Sequence, residues 1–265
     1  SRPFNDLIAE AHKLVEAGAR EITLLGQNVN AWRDESNRGL EKLIEALADI
    51  PQLARIRYTT SHPNDMTEGL IAAHRDVPKL MPFLHLPVQA GNDRVLKAMN
   101  RSHTAESYLR VLDQVRAARP DIALSGDFIV GFPGETDAEF EDTLKLVEQV
   151  GYAQCFSFKY SPRPGTPAAT MENQVPAEVM DERLQRLQSA LNASQLAFNQ
   201  ASVGKRCSVL VERRGKHDGQ WLGKSPWLQS VHFTGEAAIG DLVEVELTEA
   251  GPNSVAARLI VPAQA

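Results

Sequence analysis

Apolar residues recur along the first 160 residues with a rhythm that switches between helix and strand. Leu7, Ile8, Ala11, Leu14 and Val15 fall on one face at steps of three and four, which predicts a helix. Gly18 follows as its C-terminal stop. The run from Glu21 to Gly26 then reads as a short buried strand. Leu40, Leu43, Ile44 and Leu47 mark a second helix, ended by Pro51, and a second strand covers 54–59. The alternation continues through a helix at 67–74, a strand at 82–86 and a helix at 108–119 that Pro120 stops. A strand at 122–130, a helix at 136–150 and a strand at 152–160 complete it. Strands alternating with helices at this spacing predict repeated βαβ units and a parallel sheet.

After Tyr160 the pattern changes. Ser161–Pro167 (SPRPGTP) is a proline-rich exit loop, and a helix follows with Pro176 in its first turn. Val179, Leu184, Leu187, Leu191 and Phe198 form the helix's apolar face, and Gly204 closes it. Short alternating strands then begin at Cys207, Gln220, Leu228, Leu242 and Ser254, separated by glycine and aspartate turns. Five strands in so short a stretch match a small OB-like barrel. The expected fold is therefore α/β followed by a small all-β domain, divided near Ser202 into 1–201 and 202–265.

Composition narrows the function. The chain has 265 residues, 43% apolar and 23% charged, enough for one large domain or two modest ones. No apolar run reaches the roughly 20 residues of a membrane helix, so no membrane role is expected. There is no leader pattern, and helix-like sequence starts soon after Ser1 without a Met, so Ser1 reads as a cut point. A net charge of −6 excludes a globally basic nucleic-acid binder, and any RNA contact must be local. Cys155 and Cys207 are far apart and lack CxxC spacing, which predicts no metal site and suits a reducing cytoplasm.

Candidate chemistry sits where the strands end, which in parallel α/β folds is where function collects. Gln27 and Asn28 follow the first strand; paired amides can read an adenine edge, or simply form a turn. Ser61 and His62, within TTSHP (59–63), follow the second and could meet a polar ligand or serve structure. His85, inside an apolar strand, reads as a satisfied core histidine. Gln89 follows, then Asn92 and Thr104 as helix caps, with Arg94 and Arg101 nearby. Gly131–Thr136 (GFPGET) opens a helix, either as a ligand-approaching loop or as a turn with a Thr136/Glu139 capping box. Lys205, Arg206, Arg213, Arg214 and Lys216 lie near Trp221, Trp227 and Phe233 in the β domain. Such a set neutralises phosphates and stacks on bases, or is a solvated face diluted by Glu212 and the acidic 241–249 stretch.

Taken together, GQNVNAW (26–32), TTSHP (59–63), FLHLPVQAGNDRVLKAMNR (83–101), DFIVGFPGET (127–136) and SPRPGTPA (161–168) resemble the radical-SAM methylthiotransferases in order and context. The resemblance runs through essentially the whole chain. Its first two loops are nearer the members that act on isopentenyl-adenosine than those acting on threonylcarbamoyl-adenosine or a ribosomal protein.

The resemblance implies a partial TIM-like radical-SAM barrel with five of six strands, the first missing, and a TRAM domain that binds tRNA. It implies S-adenosylmethionine and two four-iron four-sulfur clusters in the full-length parent. Reductive cleavage by way of an electron donor would give a 5′-deoxyadenosyl radical. A methylthio group would then be added to adenine C2 beside the anticodon, in the anticodon stem-loop of tRNA.

By family position, Gln27, Asn28, Ser61, Gln89, Asp127 and Phe132 are expected in the S-adenosylmethionine cleft, and His62 and Arg101 near substrate. Lys205, Arg206, Arg213, Arg214 and Lys216 are expected on RNA. Both cysteine triplets of the family are absent, so the chain alone is expected to hold no cluster and to be inactive, a cytoplasmic, monomeric fragment. Two alternatives stand beside this reading: a methylthiotransferase with another tRNA or ribosomal-protein substrate, and a non-catalytic RNA-binding module.

Overall fold

The computed structural model describes residues 2–59 and 61–260. Ser1, Thr60 of the TTSHP motif and residues 261–265, including the Val261 expected to end the last strand, lie outside the described residues.

The first half is a row of five parallel staves. β1 (Glu21–Leu24) pairs with β2 (Arg55–Tyr58), and β3 (Phe83–His85), β4 (Ala123–Val130) and β5 (Gln154–Lys159) form a second sheet in that order. The two sheets are joined just ahead of β3, where Ile56 donates to the Lys79 carbonyl and accepts from the Met81 amide. Helices α1 (Phe4–Glu16), α2 (Leu40–Ala48), α3 (Glu68–Asp76), α4 (Asp93–Ala98), α5 (Ala105–Ala118) and α6 (Asp137–Val150) connect the strands.

The pleat sorts the side chains. Ile56, Tyr58, Leu84, Leu86, Leu124, Phe128 and Val130 face the helices, where Leu43, Ile44, Leu70, Leu112, Phe140 and Val147 bury them in one core. Each such side chain stabilises the fold by about 1.5–3 kcal/mol of transfer free energy. The intervening residues, among them Arg55, Arg57, His85, Ser125 and Asp127, line the inner face.

Local signals set the helix starts. Thr67 and Asn92 cap α3 and α4 through their side-chain oxygens, and Thr104 and Thr136 form full capping boxes at α5 and α6. Helix α5 starts a turn ahead of Tyr108, where its apolar face begins, because the first turn is polar and held by the cap.

Helix α7 (Ala177–Ser202) leads to β6 (Arg206–Arg214), β7 (Gln220–Lys224), β8 (Ser230–Thr234), β9 (Leu242–Ala250) and β10 (Val255–Leu259), which close into a barrel in the order β10-β8-β7-β6-β9. Val209, Val211, Trp221, Val231, Phe233, Val245, Leu247 and Val255 fill it. The strand expected from Leu228 begins instead at Ser230. Residues 225–229 form a tight loop, with Leu228 at φ 65° and its amide on the Ser225 carbonyl. The loop enters the N-terminal mouth of the larger barrel, where Trp227 and Leu228 pack with Phe83, Ala123, Ala153 and Phe198.

Candidate active site and nucleic-acid interface

At the opposite, C-terminal end of the strands, β4 and the chain leaving β3 build a cleft. Gln89 donates its amide to the Asp127 carbonyl and accepts from the Ile129 amide, which extends the sheet past β3. Its φ of 79° is unusual for a non-glycine residue and turns the chain over the strand ends. A cavity of about 550 Å³ opens there, lined by Gln89, Arg101, Asp127, Phe132, Phe158 and Tyr160, with Met99 and Ser161 at its edge. Phe132 meets the Tyr160 ring edge-on at 5.2 Å. Below the cavity, His85 Nδ1 lies 2.9 Å from Ser125 Oγ and its Nε2 3.5 Å from Asp127 Oδ2. The imidazole expected to be a satisfied core residue is therefore satisfied, and it carries a link to the cleft carboxylate.

The lining fits a polar ligand. Arg101 Nε and Tyr160 Oη are both buried atoms without a partner among the described residues, and such atoms are costly unless something hydrogen-bonds to them. Burial lowers the proton affinity of the Arg101 guanidinium, which a ligand carboxylate would restore. Among the described residues, no group of three or more His, Cys, Asp or Glu could hold a metal ion, so the residues present do not fit an iron–sulfur cluster. Both thiols are partly or wholly sequestered, and burial raises Cys155 and pushes Cys207 up to about 11.

The residues expected in one cleft are divided. Gln89, Asp127 and Phe132 share the cavity described above, and Arg101, expected near substrate, joins them. Gln27 and Asn28 line a separate cavity of about 770 Å³ between α1, β1 and α2, with Leu7, Leu24 and Trp32, and Asn28 Nδ2 donates to Asp65 Oδ2 at 2.7 Å. Ser61 lines neither; it is buried, and its Oγ has no partner among the described residues. His62 is fixed through its backbone by Asn30, whose side chain donates to the His62 carbonyl and accepts from its amide. Its Nδ1 accepts from the Asn64 amide, and its ring stands edge-on to His103 at 5.5 Å.

The GFPGET loop forms the Thr136/Glu139 capping box of its turn reading, and its Phe132 lines the cavity. Gly131 and Gly134, at φ 73° and 78°, bend the chain past the cavity. A Cβ on Gly131 would lie 2.2 Å from Met180 Cγ. The Gly131 amide donates to Glu135 Oε1, and Arg183 of α7 pairs with the same oxygen at 2.9 Å. Desolvation raises the Glu135 pKa despite that partner.

Tyr160, Phe158, His103 and Asn30 were not singled out by sequence. Phe156 and Phe158, apolar residues of β5, are 50% and 54% exposed on the inner face. Their alternation with Cys155 and Ser157 was the available signal.

The basic residues of the small barrel fall into two groups. Lys205 and Arg206 open β6, and Arg213 and Arg214 end it, roughly 25 Å away at about 3.3 Å per residue. Near the large barrel, Lys205 Nζ lies 5.3 Å from the Trp227 ring and Arg206 Nε 3.5 Å from Glu246 Oε2. At the far end, Arg214 stacks on Trp221 with its guanidinium carbon 4.2 Å from the ring centre, and Lys216 sits in the following turn.

Residues 1–147, more than half of the chain, match the Radical SAM superfamily. The chain belongs to the radical SAM superfamily. A TRAM domain matches residues 200–260. Among curated relatives, the tRNA-2-methylthio-N(6)-dimethylallyladenosine synthases of Novosphingobium aromaticivorans and Erythrobacter litoralis are 78% and 74% identical over 98% of this chain. The Zymomonas mobilis synthase is 64% identical over 96%. The chain spans 58–59% of the length of these relatives. Among solved structures, coproporphyrinogen III oxidase from Escherichia coli, titled a radical SAM enzyme, superposes with a TM-score of 0.55 at 17% identity, over 92% of this chain and 59% of that one. The radical S-adenosylmethionine methyltransferase TsrM from Kitasatospora setae gives 0.52 at 15%, over 64% and 33%. These two likenesses show the radical SAM fold.

Proposed function

We propose that the protein carrying this chain is a tRNA methylthiotransferase that adds a methylthio group at C2 of isopentenyl-adenosine beside the anticodon. The observation that carries the reading is the 78% identity, over 98% of the chain, with a relative named for that product. In this proposal residues 1–201 are the radical SAM portion and 202–265 the RNA-binding TRAM portion. In the whole protein an external donor would pass an electron through one four-iron four-sulfur cluster to cleave S-adenosylmethionine, the resulting radical would take the adenine C2 hydrogen, and a second cluster and a second S-adenosylmethionine would supply the sulfur and the methyl. Gln89, Asp127 and Phe132 bind S-adenosylmethionine in the cavity at the strand ends, with Arg101 there on the substrate side; Arg101 Nε and Tyr160 Oη, without partners among the described residues, support a polar occupant. Gln27, Asn28, Ser61 and His62 act from the adjoining loops. Lys205, Arg206, Arg213, Arg214 and Lys216 hold the anticodon stem-loop. We place the protein in the cytoplasm as a monomer; no described helix is long and apolar enough to cross a membrane.

The test is mass spectrometry of nucleosides from tRNA of a strain lacking the gene. Loss of the 2-methylthio derivative with accumulation of isopentenyl-adenosine is expected, and restoration by the wild-type gene but not by an Asp127→Ala version. An unchanged nucleoside profile would overturn the proposal and leave a methylthiotransferase with another substrate, or an RNA-binding module.

A further inference from the structure

Two arginines inside the large barrel have no part in the cleft. Arg55 and Arg57, on the inner face of β2, are 1% and 3% exposed. Both guanidiniums point away from the cleft, toward the mouth at the N-terminal ends of the strands, and both donate to main-chain carbonyls of the small barrel. Arg55 Nη1 reaches the Lys224 carbonyl at 2.8 Å, and its Nη2 reaches the Ser208 carbonyl at 2.6 Å and Ser208 Oγ at 3.2 Å. Arg57 Nη1 and Nη2 reach the carbonyls of Pro226 and Ser225 at 2.8 and 3.0 Å.

Charge accounting shows that the arginines need this loop. Glu21 Oε1 lies 3.1 Å from Arg57 Nε, an ion contact without hydrogen-bond alignment, and Glu21 Oε2 lies 3.8 Å from Arg55. One carboxylate therefore faces two cations, and a buried charge without compensation is strongly unfavourable. The four carbonyls supply the rest. The loop is held from its other side too: Gln229 Nε2 donates to Asn199 Oδ1 and Ser202 Oγ of α7, and Ser225 Oγ meets Gln229 Oε1. Trp227 and Leu228 fill the apolar part of the mouth. The small barrel has a core of its own, so these contacts fix where it sits.

We propose that Arg55 and Arg57 are positioning residues that clamp the 224–229 loop into the barrel mouth and so hold the RNA-binding domain at a set distance and angle from the cleft. The mouth and the cleft lie at opposite ends of the strands, and β4 alone, at eight residues, spans roughly 23 Å. An RNA held by the small barrel must reach around that length to place one base, and a loosely tethered domain would spread its position over several ångströms. The consequence for turnover rests on the function proposed above; the clamp itself does not.

The test uses the whole protein that carries this chain, as wild type, Arg55→Met/Arg57→Met and Arg57→Lys. Hydrogen exchange is read at the 225–229 amides, with β4 and β9 as internal references. At least tenfold faster exchange in the loop is expected in the double variant, and a smaller rise in Arg57→Lys, which keeps the charge and loses the fork. The reference strands should be unchanged. With tRNA as the probe, affinity should stay within about twofold while turnover of methylthiolation falls about tenfold. Unaltered loop exchange, or equal acceleration in β4 and β9 in both variants, would overturn the clamp. A mobile loop with wild-type turnover would overturn the positioning role. A wild-type protein that never methylthiolates tRNA would reject the proposed function alone, since the exchange result is independent of it.

Discussion

Tyr58 Oη lies 2.7 Å from His74 Nε2, and both side chains are fully buried between β2 and α3. Desolvation, with a smaller contribution from Arg119, holds the imidazole down at a pKa of about 3 against an ordinary 6.5. The unfolded chain therefore binds a proton below pH 6.5 that the folded chain refuses until about pH 3. Stability is unaffected by this group above pH 6.5 and falls by about 1.4 kcal/mol per unit as pH drops from 6.5 toward 3. His74→Gln keeps a hydrogen-bonding partner for Tyr58 without the titration. Urea midpoints at pH 7, 6, 5 and 4 should fall less steeply for that variant; parallel curves would assign the acid loss to other groups.

The ion pair behind the GFPGET loop is deeply buried, with Arg183 and Glu135 side chains 5% and 1% exposed. Replacing Arg183 with Met strands the Glu135 carboxylate and should cost about 3–5 kcal/mol. Adding Glu135→Gln to that variant should recover part of the loss, because the stranded charge is gone. Denaturant unfolding of the four members of the cycle reads this directly. Additive losses would mean that the two residues do not act as a pair.

Gly91 follows the turn that carries Gln89. Its amide donates to Thr143 Oγ1 at 2.9 Å, and a Cβ there would sit 2.6 Å from both the Asp142 carbonyl oxygen and Thr143 Cα. The obstacle is helix backbone, which cannot rotate aside. Gly91→Ala should destabilise the fold by about 1–3 kcal/mol through overpacking and, on the function proposed above, weaken S-adenosylmethionine binding by displacing Gln89. Calorimetric unfolding and cofactor titration on the whole protein test both, and wild-type values in each would show that α6 yields.

The architecture was legible because its signals are local. Periodicity located five parallel strands and the change to short strands after Ser202, and Asn92, Thr104 and Thr136 announced their helices. The mouth contact was not legible. Arg55 and Arg57 alternate with Ile56 and Tyr58 in a strand whose inner face is normally apolar or catalytic, and their partners are carbonyls some 150–170 residues away that have no side-chain signature. The cleft was half legible. Gln89 follows from a strand end and Asp127, inside β4, from the resemblance, but whether Gln27 shares their cavity depends on how far β1 stands from β4. Phe158 was hidden because an apolar residue in a strand looks the same whether it faces helices or a cavity.

Arg214 stacks on Trp221 at the far end of β6, beside Arg213 and Lys216. Lys205 and Arg206 lie at the other end, engaged by Trp227 and Glu246. In a chain of net charge −6, attraction to RNA must come from such local groups, and the far end is the one whose arginines, near an aromatic ring, have no carboxylate partner among the described residues. Phosphate contacts release counterions, so affinity should fall with salt at a log–log slope of about −0.7 per contact on single strands. Three contacts from Arg213, Arg214 and Lys216 give about −2 on that scale. Arg213→Glu/Arg214→Glu should flatten the slope by about two contacts' worth and weaken tRNA binding at least tenfold at low salt. Lys13→Glu/Lys145→Glu, on helices of the large barrel, should leave both nearly unchanged, although the net charge shifts equally. Fluorescence titration of tRNA across a salt series separates the cases. Equal losses in the two double variants would mean that net charge governs binding, and no loss in either would place the RNA on a surface that uses neither pair.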